Sequence, residues 1–223
     1  NYTGNPWFPE GLERERLDDL KYRPDVYPHI WEGQFLTMTA AQVFAGKYKV
    51  EEFEPGAKWD GPYQGGDFGY SQDPTAAIRA YINDGCLYIS HEAGGLGIEL
   101  DDIPARVSAI PDFAKYVTRW DSAQPSMISH IRRKGLDRSE GSVKGKGSVE
   151  DGVMFIRSFK QVIIHPRCVN TIKEFQRYSW KVDRLSGDIL PELEDDWNHY
   201  IDALRYALEP ILRRGKSSYV GWV

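Results

Sequence analysis

The chain has 223 residues and a formal net charge of -5, with 41% hydrophobic and 27% charged residues. That length and balance suit one large domain, or one domain with an appended arm, and exclude a disordered or fibrous chain. The negative sum excludes a surface that is basic all round and leaves local basic patches open, while runs such as Val153–Ile156 and Val162–Ile164 are too short to span a bilayer.

The start, Asn1-Tyr2-Thr3-Gly4, carries no signal-peptide pattern, so an intracellular setting without membrane contact is expected. It also lacks Met and opens in a proline-rich, aromatic stretch, which suggests a fragment of something longer. Residues 1–61 mix helix-like text, Pro9–Leu20 and Thr39–Phe44, with proline and aromatic punctuation, and are expected to form an arm or linker. Tyr63–Asp67 then reads as a strand, Ser71-Gln72-Asp73-Pro74 as a polar turn, and Thr75–Ile82 as a second strand. Asn83-Asp84-Gly85 is a tight-turn signal, because Asp-Gly tolerates positive φ, and Cys86–His91 resumes an extended pattern. The expected unit is a three-stranded antiparallel meander.

Beyond Gly94-Gly95, Ile98–Ile110 has helical spacing, with Asp101 and Asp102 where they favour a helix N-terminus. Tyr116–Trp120 follows as a short strand ending at Asp121, and Gln124–Lys134 as a helix that Gly135 stops. Glu140–Gly147 reads as a flexible loop, Ser148–Phe159 as a helix, Gln161–His165 as a strand and Cys168–Tyr178 as a helix. Trp180–Glu192 looks like a hairpin with Ser186-Gly187 at its tip, before a last helix opening at Asp195 or Asp196 and running to Pro210. This order, β-β-β-α-β-α-β-α, predicts an α/β fold: a mixed sheet of the meander plus parallel strands, flanked by helices, with the hairpin added. Cys86 and Cys168 have no Cys or His neighbours at zinc spacing and are expected as two buried free thiols.

Three aspartates stand where chemistry is done. Asp67 ends the first strand within Gly65-Gly66-Asp67-Phe68-Gly69, where glycines on both sides would let a metal or phosphate approach the backbone, although Asp-x-Gly is equally ordinary turn text. Asp121 follows a strand at the edge where α/β sheets present functional groups, and it also suits the N-cap of the next helix. In the last helix Trp197, Ile201, Leu204 and Leu208 form a core stripe, and Asp202 falls off it, on a second face with His199 and Tyr206 that could equally be a solvated one. Taken together, acids at two strand ends and on the C-terminal helix converge in a sheet of this order. Like charges that close require cations, and hard oxygen ligands select Mg2+ or Mn2+. Two such ions about 3.5–4 Å apart can activate a water and stabilise the leaving 3′ oxygen of a phosphodiester. His199 then reads either as a ligand or proton shuttle, or as a partly buried histidine bonded to backbone; Asp73 reads as an outer contact or as a turn residue.

Gly66-Asp67-Phe68-Gly69-Tyr70 with Asp73-Pro74-Thr75-Ala76, Trp120-Asp121-Ser122-Ala123 with Pro125, and Asn198–Leu208 with its His199 and Asp202 together resemble the C-terminal nuclease domain of the large terminase subunit of tailed bacteriophages, from about Tyr27 to Leu208. The resemblance implies a ribonuclease H-like fold over residues 62–210, a tail over 211–223, and a metal-dependent endonuclease that cuts double-stranded viral DNA during packaging with little sequence specificity. It further implies that Asp67, Asp121 and Asp202 are the metal-binding acids and that His199 occupies a position where some members carry a functional histidine. The arm up to residue 61 would lead from an ATPase half, while this chain has no G-x-x-x-x-G-K-[ST] loop and is expected to bind no ATP. Portal protein and small terminase subunit are the implied partners of the full-length protein, and the host cytoplasm the implied location. A nucleic-acid-binding or docking module of the packaging motor with weak catalysis is the alternative.

Between Ile131 and Lys160 eight basic residues face four acids, against the sign of the whole chain. Arg132, Arg133, Lys144 and Lys146 are the candidate phosphate contacts there, the two lysines within the Gly-rich loop, and Lys181 in the hairpin is a further candidate.

Overall fold

The computed structural model describes residues 8–22, 31, 41–183 and 186–219. Helix α1, Glu10–Tyr22, lies within the expected arm. The arm does not extend to residue 61, however. Ala41, Val43 and Phe44 are buried, Phe44 stacking on Phe175 with ring centroids 4.3 Å apart, and strand β1, Tyr48–Val50, is part of the main sheet. Of the Thr39–Phe44 text only 41–44 are among the described residues, and these form turns and a bridge from Gln42 to Ser179 rather than a helix. A short apolar cluster is satisfied by contacts far away in sequence as well as by its own periodicity.

The meander is present as β2, Asp60–Asp67, β3, Thr75–Asn83, and β4, Cys86–Gly95, paired antiparallel. Asp84 and Gly85, at φ 50 and 77, make the tight turn between β3 and β4 that their types favour. Strands β5, Thr118–Trp120, β6, Ser139–Gly141, and β7, Val162–Ile164, complete a seven-stranded sheet of order β1-β7-β4-β3-β2-β5-β6. β5 pairs parallel to β2, β6 to β5, β7 to β4, and β1 to β7.

Strand β6 falls at the start of the stretch expected to be a loop. Its Ser-Glu-Gly text has little strand propensity, and what holds it is the ladder to β5 together with the Trp120 indole, which donates to Ser139 Oγ at 3.1 Å.

Helices cover both faces. On one side lie α2, Ile103–Val107, and α3, Pro125–Arg133, burying Ile103, Val107, Ile110, Ile131 and Trp120 against Ala77 and Ala93. On the other lie α4, Ser148–Ser158, α5, Val169–Arg177, and α6, His199–Tyr219, burying Val153, Ile156, Phe175, Ile201, Leu204 and Leu208 against Ala76, Ile78, Leu87 and Ile89. Alternate residues of β3 serve alternate faces, as the two-residue period of a strand requires.

Two helix expectations are corrected. Of Ile98–Ile110 only the five residues of α2 are helical: the spacing of Ile103, Val107 and Ile110 does bury one face, but turns at either side, with Gly97 and Asp112 at φ 65 and 55, close it. α6 opens at His199, not at Asp195 or Asp196, because Trp197 takes φ 60 and turns the chain first. Trp197 is therefore off the core stripe, 43% exposed with the Arg177 guanidinium 4.1 Å from its ring centroid, while Ile201, Leu204 and Leu208 are buried. α6 also carries on past Pro210 into the expected tail, as far as Tyr219. The hairpin forms as a separate sheet of β8, Trp180–Val182, and β9, Ile189–Leu193. Cys168 is buried and Cys86 half-buried, both unpaired. Among the described residues no helix is long and apolar enough to cross a membrane.

Candidate active site

Register brings the first two acids together. In the parallel pair of β2 and β5, Gly66 faces Trp120, so the next residues, Asp67 and Asp121, leave adjacent strands side by side at their C-terminal ends. Neighbouring strands lie about 4.8 Å apart, which puts the two carboxylates within reach of a shared cation.

The third acid arrives on α6, which lies directly on β2. A Cβ added at Gly65 would stand 1.9 Å from the Ala203 carbonyl oxygen and 2.7 Å from the Ala207 nitrogen. One at Gly66 would stand 2.4 Å from the Trp120 indole on the opposite face. The glycines before Asp67 are therefore filled by protein, not left open for a metal or phosphate. Their absent side chains let helix backbone and indole seat against the strand, and Asp202, next to Ala203, is carried to Asp67.

Asp67, Asp121, Asp202 and His199 line one open cavity of about 360 Å³, with Asp73, Lys144, Arg205 and Tyr206. His199 stands between two acids, Nδ1 3.5 Å from Asp67 Oδ2 and Nε2 3.5 Å from Asp73 Oδ1, and the Asp67 contact raises its basicity against the opposing effect of burial. Burial pushes the Asp67 carboxyl above its ordinary range, His199 opposes that, and the charges of Asp202 and Asp121 add to it. Burial likewise raises Asp202, against the pull of Arg205, His199 and Lys144. Tyr206 is raised by burial first and then by the three aspartates around it. Positive charge beside them favours the ionised forms of Asp67 and Asp202.

Part of that charge is internal. Arg205, three residues after Asp202 and buried, sets Nη1 2.5 Å from Asp202 Oδ1 and Nη2 3.4 Å from the Ser148 carbonyl oxygen. Gly152 of α4 makes room for it, since a Cβ there would meet Arg205 Nε at 2.9 Å. Lys144 reaches in from the loop after β6, its Nζ 2.5 Å from Asp121 Oδ1. The same Asp121 oxygen accepts the Ala123 N–H at 2.8 Å, so Asp121 closes a turn ahead of α3, whose N-cap is Gln124. Among the described residues, no three His, Cys, Asp or Glu side chains converge closely enough to share one ion. The donor chemistry nevertheless fits Mg2+ or Mn2+: three hard carboxylates and a histidine in one cleft, Asp67 and Asp202 raised by burial and Asp121 paired with a partly exposed lysine.

The other expected phosphate contacts stay outside this cavity. Arg132 and Arg133 are exposed on α3, Arg133 donating to Ser129 Oγ at 2.7 Å. Lys146 is exposed at the rim of an adjoining cavity of about 230 Å³ that Lys144 and Arg205 also line. Lys181 pairs with Glu192 across the hairpin at 3.0 Å. Arg205 escaped the sequence reading although its spacing, three after Asp202 on one helical face, marks it as a partner. Glu174, buried on α5, hydrogen-bonds the start of α6 and has no such signal, because its partners belong to another helix.

A family model for the terminase RNAseH-like domain matches residues 67–210. The large terminase subunit of Bacillus phage SPP1 is 31% identical over 235 residues, covering 99% of this chain and 53% of its own length. The PBSX phage terminase large subunit of Bacillus subtilis is 26% identical over 92% of this chain and 48% of its own length, so the chain spans about half of the curated relatives it matches. The crystal structure of the SPP1 large terminase nuclease domain with bound Mn superimposes with a TM-score of 0.66 at 31% identity, over 74% of this chain and 97% of that domain.

Proposed function

The chain belongs to the terminase RNase H-like domain family, and from that premise we propose that it is a divalent-metal-dependent endonuclease acting on double-stranded DNA during viral genome packaging. The observation that carries this reading is the convergence of Asp67, Asp121 and Asp202 in one cavity, through the β2–β5 register and the crossing of α6. The Mn bound by the SPP1 nuclease domain supports the choice of ion.

In this reading Asp67 and Asp202, both largely buried and held above their ordinary range, would hold two Mg2+ or Mn2+ ions together with Asp121. When bound, such ions supply an activated water and neutralise the leaving 3′ oxygen of a phosphodiester. Asp121 would complete that set with Lys144 displaced from its Oδ1, and the lysine would then be available to a DNA phosphate. His199, with Nδ1 towards Asp67, presents Nε2 to the cavity beside Asp73 and can take or return a proton there. Nothing in this set reads base edges, so cleavage has little sequence preference. Portal protein and small terminase subunit are the proposed partners of the full-length protein.

Plasmid cleavage tests the proposal. Mn2+ or Mg2+ should support nicking and linearisation, and Asp67→Ala, Asp121→Ala and Asp202→Ala should each abolish it while keeping the far-ultraviolet dichroism of the parent. Cleavage undiminished in all three variants would remove the assignment.

A further inference from the structure

A helix begins with backbone N–H groups that have no partner inside it, and the residue before the first turn ordinarily supplies an oxygen to the second or third of them. In α6 those groups belong to Tyr200 and Ile201, and the residue placed to cap them is Asn198. Its amide instead donates to Asp195 Oδ1 at 3.3 Å. The missing acceptor comes from a different helix. Glu174 Oε2, on α5, accepts the Tyr200 N–H at 2.8 Å and the Ile201 N–H at 3.0 Å, and Glu174 is only 4% exposed.

Glu174 is itself anchored to the sheet that carries Asp67. The start of α5 is held by Glu92 of β4, whose Oε1 accepts from Asn170 N and Nδ2 at 2.8 and 2.9 Å, and whose Oε2 accepts from Thr171 N and Oγ1 at 2.8 and 2.7 Å. Two carboxylates, each seated on the opening turn of the next helix, thus link β4 to α5 and α5 to α6. The turn at the end of this linkage carries His199 and Asp202. The rest of α6 has its own hold, through Ile201, Leu204 and Leu208 in the core and through the close contact at Gly65. Loosening the cap therefore frees the first turn and leaves the body of the helix in place.

We propose that Glu174 is a positioning residue for the metal centre: by supplying the N-terminal cap of α6 from a neighbouring helix, it sets where Asp202 and His199 stand relative to Asp67. The inference rests on the nuclease reading above. Its force lies in a single buried oxygen that bonds both free amides at the turn where the site is built, while the local capping residue is turned elsewhere. The acceptor oxygen is what matters, so a side chain that keeps the oxygen without the charge should serve.

The test compares Glu174→Gln, Glu174→Ala and Glu174→Asp in the intact chain, by the Mn2+ dependence of plasmid cleavage and by hydrogen exchange over residues 199–202 without metal. Glutamine retains an oxygen at the same reach, alanine removes it, and aspartate keeps the charge but draws it back by one methylene. Removal of a group that orients a metal ligand costs about 10- to 100-fold in metal affinity. Glu174→Ala and Glu174→Asp should accordingly need at least about tenfold more Mn2+ for half-maximal cleavage, with faster exchange in the first turn of α6, while Glu174→Gln stays near the parent. An unchanged Mn2+ requirement in the alanine variant, or an aspartate variant that matches the parent while glutamine fails, would overturn the proposal. Should alanine prevent folding, the glutamine and aspartate pair decides alone. A parent protein that does not cut with Mn2+ would bring down the nuclease reading itself, whereas a parent that cuts and variants that share its Mn2+ dependence bring down only the role of Glu174.

Discussion

The ammonium of Lys144 lies 2.5 Å from Oδ1 of Asp121 and 5.4 Å from the centre of the Tyr206 ring, so a lysine from a glycine-rich surface loop is one of the counter-ions of the acidic cleft. Its side chain is 40% exposed, which makes it a replaceable counter-ion and not a fixed one. On the proposed reading, a divalent cation in the cleft and a DNA phosphate at its mouth would compete for the two halves of that pair.

Lys144→Ala should therefore move two quantities in opposite senses. Cleavage should reach half-maximum at a roughly fivefold lower Mn2+ concentration, since a partly exposed ion pair is worth up to about 1 kcal/mol. DNA binding without metal should weaken, and the slope of log affinity against log salt should become shallower by about 1 for the lost phosphate contact. Lys146→Ala should change the salt slope and leave the Mn2+ midpoint alone, because Lys146 lines the adjoining cavity and not the one the three aspartates line. Mn2+ titrations and salt-dependent anisotropy on the two variants read both effects, and a Lys144→Ala protein with parental values of each would contradict the arrangement.

Gly65→Ala should be among the most damaging single changes in the molecule. The added methyl would stand 1.9 Å from the Ala203 carbonyl oxygen, and backbone cannot give way as a side-chain tip does. Overpacking of well-filled interiors costs about 1–3 kcal/mol and more where backbone must shift, so about 3 kcal/mol or a failure to fold is expected. Gly145→Ala, with nothing within 4 Å of its added carbon, should stay within about 0.5 kcal/mol of the parent. Urea unfolding of the two variants makes the comparison, and a Gly65→Ala protein of parental stability would mean that α6 does not rest on β2 as closely as described.

A second pH-sensitive group lies within β4, outside the acidic cleft. His91 accepts from Arg167, with Nε2 and Nη1 2.9 Å apart, and burial followed by the charge of Arg167 lowers its pKa from 6.5 to about 4. The folded state thus holds this histidine neutral over a range where the unfolded chain protonates it. Its stabilising contribution is whole above pH 6.5 and is lost as pH falls through the window down to about 4. Replacing His91 with Gln should flatten the fall of the thermal midpoint across that window. An equally steep fall in the variant would assign it to other groups.

The meander was legible because its signals are local: alternating text in 75–82, and Asp84-Gly85, whose backbone tolerance matches the turn observed. The same holds for the hairpin and for helices α3 to α5, whose periodicity lies within each segment. Strand β6 was not legible because Ser139-Glu140-Gly141 has little strand preference, and β1 because Tyr48-Lys49-Val50, though its Tyr and Val favour strands, is too short to signal one alone; each is held by a ladder to a distant segment. The opening of α6 was misplaced by the carboxylates at 195 and 196, which look like caps, whereas the cap is Glu174.

Much the same division runs through the site. The sequence by itself determined that acids stand at two strand ends and on one face of the last helix, because strand termini and helical phase follow from short-range periodicity. That Asp67 and Asp121 emerge together depends on the Gly66–Trp120 register, and that Asp202 meets them depends on α6 approaching β2 to backbone contact. The glycines beside Asp67 changed meaning for that reason. Read locally they are openings for a ligand, and in the fold they are the surfaces on which a helix and an indole rest. The pairing of Lys144 with Asp121 and the capping by Glu174 were decided wholly by tertiary structure, since an ion pair and a helix cap form between whichever groups the packed chain brings together, with no spacing in the sequence to announce them.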